Sequence, residues 1–230
     1  MIKKEITKLI YDFKINKKYW LTDNLTGNDY DNNRSKPAPY IKKTIEIAKI
    51  LDLKTFVEIG STRYSVTQKC LDYYDKKFHD YIAPSCCCDG HANFFWVDSG
   101  FDVYTVDIDE HCKNGVFWSY ENLKRKVPEN LHVEIPRDGI EFLKNFTKNI
   151  DVLFLDGWDV GTPKFAEKHL EAYLASKSKL SETHIIIIDD TDYITEKGGK
   201  DKYLSPVLID EGYHLLFNGR QTAFLKHKDF

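Results

Sequence analysis

The chain has 230 residues, with 33 basic and 36 acidic side chains and a formal net charge of −3. This near balance gives no overall attraction to nucleic acid or to an anionic membrane, and the length suits one α/β domain with an appendage. No apolar run approaches the roughly 20 residues of a membrane-spanning helix, and residues 1–5 lack the apolar core of a signal peptide. We therefore expect a cytoplasmic protein with neither a nucleic-acid nor a membrane partner, and a homo-oligomer stays open.

The first 39 residues are predicted to form a separate N-terminal segment. Apolar residues at helical spacing predict a helix over residues 1–20. Residues 21–38 are rich in Asn, Asp, Gly and Pro, so they form either a lid over a site or a plain linker. A second helix, predicted at 40–51, opens the main domain, which we assign to residues 40–230.

The stretch from Thr55 to Gly60 is the best candidate for the first strand of a sheet. Its apolar residues favour a buried strand, and Gly60 at its end allows a tight turn and the close approach of a ligand. Glu58 is costly to bury without a partner. Strand, acid and glycine together indicate a nucleotide-type ligand at the carboxyl edge of a parallel sheet.

An insertion of about forty residues, 61–101, follows this strand where a compact turn would need only a few. It contains Cys86, Cys87 and Cys88, with His91 nearby, and ends in a helix-like apolar run at 94–97. Zinc is one reading of this triplet, but three adjacent residues cannot readily direct three thiolates at one tetrahedral ion. We favour reduced thiols, because an odd count of five cysteines argues against a disulfide framework.

The rest of the chain alternates strands with helices. Strands are predicted at 102–109, 131–135, 151–156 and 185–188, and helices at 140–146 and 163–174. Four consecutive isoleucines at 185–188 indicate a central parallel strand, and Asn218-Gly219 between two apolar runs indicates a hairpin. We predict a Rossmann-like, doubly wound α/β fold: a mostly parallel seven-stranded sheet, closed by a C-terminal antiparallel hairpin, with helices on both faces.

Acidic residues recur where the predicted strands end. In a parallel sheet these ends share one edge, where ligands bind. Asp107 can accept hydrogen bonds from a ribose diol, and Asp138 can contact an adenine amino group. Gly60 and Ser61, with Gly90 and His91 at a helix start, can hold the polar end of a ligand. The remaining acids suit Mg²⁺ or another divalent cation, or Asp156 can act as a general base; they are Asp156, Asp189 and Asp190.

The order of four short motifs resembles the class I S-adenosylmethionine-dependent methyltransferases, over about residues 40–228. The motifs are Val57-Glu58-Ile59-Gly60, Val106-Asp107-Ile108-Asp109, Phe154-Leu155-Asp156-Gly157 and Ile188-Asp189-Asp190. The likeness is greatest to small-molecule O-methyltransferases. It implies S-adenosylmethionine as cofactor and a divalent metal held by Asp156, Asp189 and Asp190. The predicted cofactor-binding residues are Glu58, Gly60, Ser61, Gly90, His91, Asp107, Ile108, Asp138, Gly139 and Asp156.

Two positions depart from that family. Ser61 follows Gly60 where glycine-rich members have more glycine, and Asp189-Asp190 stands where metal-dependent members commonly have Asp-Asn. The leading hypothesis is methyl transfer to a hydroxyl of a small molecule such as a sugar, with Asp156 as the catalytic residue. The acceptor side is predicted to include His91, Trp158, Asp159, Asp192 and Tyr193.

Two alternatives come from other classes. One is a nicotinamide-dependent oxidoreductase, although the chain lacks Gly-x-Gly-x-x-Gly and the acid on the second strand lies far beyond the roughly 20 residues expected. The other is a catalytically silent binding subunit that keeps the fold.

Overall fold

The computed structural model describes residues 2–15, 37–61, 92–192, 195–196 and 198–230. Its centre is a seven-stranded sheet in the order β3-β2-β1-β4-β5-β7-β6. The strands are β1 (Thr55–Ile59), β2 (Asp102–Val106), β3 (Leu131–Glu134), β4 (Ile150–Leu155), β5 (Leu180–Ile188), β6 (His214–Phe217) and β7 (Thr222–Lys226).

Strand pairing confirms the predicted topology. β1 pairs in parallel with β2 on one side and with β4 on the other, while β7 runs antiparallel to both β5 and β6. The chain therefore moves outward from β1 through β2 to β3 and then returns to the other side of β1. This reversal between β1 and β4 is the point at which doubly wound sheets bind ligands.

Helices cover both faces of the sheet, as predicted. They are α1 (Ile2–Ile15), α2 (Pro37–Ile50), α3 (Ala92–Asp98), α4 (Glu110–Asn122), α5 (Gly139–Asn145), α6 (Phe165–Ser176) and α7 (Leu204–Asp210), with a 3₁₀ turn at Lys177–Lys179. Alternate residues of β1 enter the two resulting cores: Phe56 packs with α1 to α4, and Val57 packs with α5 to α7. Within the described ranges, every helix is too short or too polar to span a lipid bilayer.

Burial on both faces of the sheet explains why β5 contains the uniformly apolar run at residues 185–188. All four residues at 185–188 are 0% exposed, because cores pack on both faces of the strand. β5 begins five residues earlier than predicted, at Leu180, because the pairing of Leu180 with Ile150 and of His184 with Lys226 extends the strand beyond the apolar run.

Several boundaries differ from the predictions. β2 ends at Val106 rather than at residue 109, because Asp109 is the N-cap of α4 and accepts from the His111 N–H. Neither α4 nor α7 was predicted. α6 begins at Phe165 rather than at residue 163, after Lys164 with a φ of 60°.

Some predictions lie outside the described residues. These are the C-terminal part of the predicted first helix, the loop at 21–36, most of the insertion with Cys86–Cys88, and three predicted site residues, Gly90, His91 and Tyr193.

Candidate active site

A cavity of about 640 Å³ lies at the carboxyl edge of the sheet, between the ends of β1, β2, β4 and β5. Its walls contain most of the predicted site residues that the structure describes. They are Gly60, Ser61, Asp107, Ile108, Asp138, Gly139, Asp156, Asp189 and Asp190, with Trp158 and Asp159 from the predicted acceptor side. Glu58 and Asp192 are not in this wall. The acids at the strand ends therefore do meet at one place, as the parallel topology predicts.

Gly60 forms a tight turn at the end of β1, and this turn lines the cavity. Its φ is +91°, and a Cβ there would lie 2.4 Å from the backbone nitrogen of Gly157. The Gly60 N–H donates to the Val106 carbonyl, and the N–H groups of Asp156 and Gly157 donate to the Ile59 carbonyl. These bonds tie the ends of β1, β2 and β4 together, so only glycine fits at residue 60.

Asp107 is held in one orientation by the backbone. Its Oδ2 accepts from the Ser61 N–H at 2.7 Å, and its Oδ1 accepts from the Asp109 N–H at 2.8 Å. A carboxylate offers about four acceptor positions, so each oxygen keeps capacity for a further donor. Asp107 can therefore accept from two adjacent hydroxyl groups in the cavity.

Glu58 lies behind this edge, with 2% of its surface exposed. Its Oε2 accepts from Asn93 Nδ2 at 2.8 Å and is 2.5 Å from Thr105 Oγ1, which also lies 2.7 Å from Ser61 Oγ. Burial raises the pKa of Glu58 to about 7, although the hydrogen bonds from Thr105 and Asn93 offset part of that effect. Direct contact between Glu58 and a cofactor stays a prediction.

The Glu58→Gln change is expected to alter how stability depends on pH. The folded protein keeps the Glu58 proton up to about pH 7, whereas the unfolded chain releases it near 4.5, so rising pH favours unfolding. Between these values the free energy of unfolding of the wild type should fall by about 3 kcal/mol relative to Glu58→Gln. Urea unfolding of both proteins at pH 4.5 and 8 measures this difference. Exposed Glu129→Gln is the control and should follow the wild type; parallel profiles for Glu58→Gln and wild type would contradict the burial argument.

The start of α5 forms a further part of the cavity wall. Asp138 is the N-cap of this helix and accepts from the Glu141 N–H at 2.9 Å, with its side chain exposed at the cavity mouth. Gly139 packs directly on β1, since a Cβ there would lie 2.3 Å from Ile59 Cγ2. The turn thus brings Asp138 to the same edge as Asp107.

Three carboxylates meet at the ends of β4 and β5, as predicted. Oxygen atoms of Asp156, Asp189 and Asp190 lie within 4.8 Å of one another. Lys200 and Arg220, which the sequence analysis did not single out, contact all three acids. Lys200 Nζ lies 3.1 Å from Asp156 Oδ1 and 3.3 Å from Asp190 Oδ2, and the Arg220 guanidinium lies 2.8 Å from Asp190 Oδ1 and 3.3 Å from Asp189 Oδ2.

Burial and mutual repulsion govern the ionisation of these acids. Burial raises the pKa of Asp156 well above its usual value, the charge of Asp189 raises it further, and Lys200 offsets part of the rise. Burial alone would lower the pKa of Lys200, but the charges of Asp156, Asp190 and Asp189 outweigh it and raise that pKa. The three acids thus favour the charged form of the lysine.

Three carboxylates are a suitable donor set for Mg²⁺ or Ca²⁺. In this arrangement, however, Asp189 Oδ1 accepts from Gln221 Nε2 at 2.7 Å, and four of the other oxygens contact Lys200 or Arg220. Only Asp156 Oδ2 has no protein partner among the described residues. With these oxygens already paired, the three carboxylates do not fit a divalent ion.

The chain resembles known proteins in its structure and not in its overall sequence. No protein-family model matches the sequence, and no curated protein matches it either. A candidate caffeoyl-CoA O-methyltransferase from Staphylococcus aureus is 12% identical, with a TM-score of 0.55 over 96% of this chain and 90% of that chain. Magnesium protoporphyrin IX methyltransferase from Synechocystis, solved with bound S-adenosylhomocysteine, is 11% identical, with a TM-score of 0.52 over 99% of this chain and 100% of that chain.

A third solved structure agrees with these two. A Podospora anserina methyltransferase with bound S-adenosylhomocysteine is 12% identical, with a TM-score of 0.53 over 95% of this chain and 86% of that chain. At these identities the likeness is one of fold. The chain has the fold of class I S-adenosylmethionine-dependent methyltransferases, which confirms the resemblance seen in the sequence.

Proposed function

We propose that the chain is an S-adenosylmethionine-dependent methyltransferase that acts on a hydroxyl group of a small molecule, such as a sugar or another metabolite. The observation that carries this proposal is Asp107, whose carboxylate is oriented by two backbone N–H groups at the edge of a cavity of about 640 Å³. A carboxylate at the end of the second strand suits a ribose diol. Cavities of roughly 300–1,000 Å³ hold ligands of cofactor size.

The donor side of the cavity is proposed to lie along β1, β2 and α5. Asp107 accepts from the ribose, Asp138 contacts the adenine amino group, and the turn at Gly60 and Ser61 faces the polar end of the cofactor. The other proposed cofactor contacts are Glu58, Gly90, His91, Ile108, Gly139 and Asp156. When bound, S-adenosylmethionine supplies a methyl group that is already activated on a sulfonium.

The acceptor side is proposed to centre on Asp156. A hydroxyl is a poor nucleophile at neutral pH, so a base must take its proton as its oxygen attacks the methyl carbon. Asp156 lines the cavity, and its Oδ2 has no protein partner within the described ranges, so this oxygen can accept the proton. Trp158 and Asp159 line the same cavity and can orient the acceptor. Because the methyl group is already activated, alignment of the acceptor oxygen with the methyl carbon is the main further requirement. Asp192, His91 and Tyr193 remain predicted acceptor-side residues.

A small-molecule acceptor is supported by the size of the cavity and by two structural neighbours whose names give small-molecule substrates. The near balance of charge supports the absence of a nucleic-acid or membrane partner. A cytoplasmic location and a homo-oligomer remain proposals of the sequence analysis.

The alternatives make different predictions for ligand binding. A nicotinamide-dependent oxidoreductase should bind NAD. A silent binding subunit should bind S-adenosylhomocysteine and transfer no methyl group. The presence of an acid with a raised pKa in the cavity favours an enzyme, because catalytic bases are commonly tuned in this way.

Asp107→Ala is expected to weaken S-adenosylhomocysteine binding by about 100-fold, because two hydrogen bonds to a charged group are lost. Isothermal titration calorimetry measures the change in Kd. Asp98→Ala is the control, since Asp98 is an exposed acid at the end of α3 that pairs with Arg125. If Asp107→Ala and the wild type bind S-adenosylhomocysteine with equal affinity, Asp107 does not bind the ribose.

The proposed reaction is tested by transfer of label from methyl-labelled S-adenosylmethionine to a panel of sugars, catechols and hydroxy acids. The proposal expects a labelled small-molecule ether. Label in RNA or in protein, with none in the panel, would contradict the small-molecule assignment.

A further inference from the structure

Lys200 is a fully buried cationic side chain that the proposed reaction does not use. Its side chain is 0% exposed, and its Nζ donates to the main-chain oxygen of Asp156 at 3.1 Å as well as pairing with Asp156 Oδ1 and Asp190 Oδ2. It lies in the segment between β5 and α7. A buried ammonium is costly unless it is paired and hydrogen-bonded, so its contacts with these acids decide where it lies.

Lys200 and Arg220 share the three carboxylates between them. Lys200 takes one oxygen each of Asp156 and Asp190, and Arg220 takes one oxygen each of Asp190 and Asp189. Among the described residues, these three carboxylates are thus paired with two cationic side chains. Gln221 takes a further oxygen of Asp189.

We propose that the Lys200 ammonium occupies the position that a divalent cation would take among Asp156, Asp189 and Asp190, so that the site works without a metal ion. This inference rests on the proposed methyl transfer only for its consequence in catalysis. Lys200 is then a positioning residue: it holds Asp156 through Oδ1 and leaves Oδ2, on a residue that lines the cavity, for the acceptor proton.

Coordination geometry opposes simultaneous occupancy by a metal ion. Oxygen ligands lie about 2.0–2.6 Å from Mg²⁺ or Ca²⁺. A divalent ion bound to the oxygens that Lys200 contacts would lie within about 6 Å of the ammonium, where like charges repel strongly in a buried site. Removal of the lysine charge removes one cationic partner from Asp156 and one from Asp190. Such a cluster should attract a divalent cation.

Titration with Mn²⁺ alone, followed by the loss of its free electron paramagnetic resonance signal, tests this inference. The wild type should bind Mn²⁺ at this site no more tightly than a Kd of about 1 mM, the weak end of protein cation sites. Lys200→Met keeps most of the side-chain volume, removes the charge and should bind at least about tenfold more tightly. Lys144→Met is the matched control, because Lys144 is an exposed lysine on α5 with no ion pair to a described residue.

Two results would overturn the proposal. One is tight Mn²⁺ binding by the wild type that is lost in Asp190→Asn; the other is a folded Lys200→Met protein whose Mn²⁺ affinity equals that of the wild type. If Lys200→Met fails to fold, the wild-type and Asp190→Asn titrations decide alone. Weak wild-type binding that Asp190→Asn leaves unchanged then supports the proposal.

S-adenosylhomocysteine binding, measured on the same samples, separates this inference from the proposed function. If the wild type binds S-adenosylhomocysteine and also binds Mn²⁺ in a way that requires Asp190, the proposed function stands and the proposed role of Lys200 is wrong. If the wild type binds neither ligand, the proposed role of Lys200 stands and the methyltransferase proposal is wrong.

Discussion

Asp156→Asn is expected to lower the rate of methyl transfer by about 10²–10⁴-fold, the range for loss of a general base. The variant keeps the shape of the side chain but cannot take a proton from the acceptor. S-adenosylhomocysteine binding should change far less, because Asp107 and the turn at Gly60 remain. Single-turnover transfer and calorimetry on the same protein measure the two effects.

The pH dependence of the rate gives this test a second readout. Since burial and the charge of Asp189 raise the pKa of Asp156, the wild-type rate should fall as the pH drops through a value well above 3.8. Glu171→Gln, an exposed acid of α6 that pairs with Lys168, is the control and should keep the wild-type rate and profile. An Asp156→Asn variant with an unchanged rate would show that another group takes the proton.

Gly60→Ala is expected to destabilise the fold by roughly 3–5 kcal/mol. The new Cβ would lie 2.4 Å from the Gly157 nitrogen and 2.6 Å from the Asp156 carbonyl carbon, and the positive φ of residue 60 adds backbone strain. Such a loss lowers the Tm of a chain of this size by roughly 6–20 °C. Urea or thermal unfolding measures it.

Gly100→Ala separates strain from collision. Gly100 has a φ of +89°, close to that of Gly60, but a Cβ there would have nothing within 4 Å. This control carries the strain alone and should cost about 1–2 kcal/mol. Equal losses for the two variants would contradict the claim that the ends of β1 and β4 touch at Gly60.

The sheet was predictable because its strands carry strong local signals. Residues 185–188 are uniformly apolar and are buried on both faces, and Asn218-Gly219 marks the hairpin that leads into β7. α4 was missed because its pattern is mixed: Val116 and Tyr120 are buried, whereas the adjacent Phe117 and Trp118 are more than one-third exposed. An amphipathic stripe is hard to read when large aromatic residues stand on the outer face.

The acids of the site were predictable for a topological reason. Parallel strands end at one edge, so Asp107, Asp156 and Asp190 had to approach one another once the strands were identified. Arg220 could have been inferred, because the pairing of Ile188 with Thr222 brings the hairpin turn beside the end of β5. Lys200 could not, since the sequence between β5 and α7 has no periodic pattern that predicts where this residue lies.

The most direct test of the proposed function is calorimetric titration of the wild-type protein with S-adenosylhomocysteine, with NAD as the comparison ligand. We expect one saturable site for S-adenosylhomocysteine, a Kd that rises about 100-fold in Asp107→Ala, and no binding of NAD. Binding of NAD without binding of S-adenosylhomocysteine would contradict the proposed function and favour an oxidoreductase on the same fold.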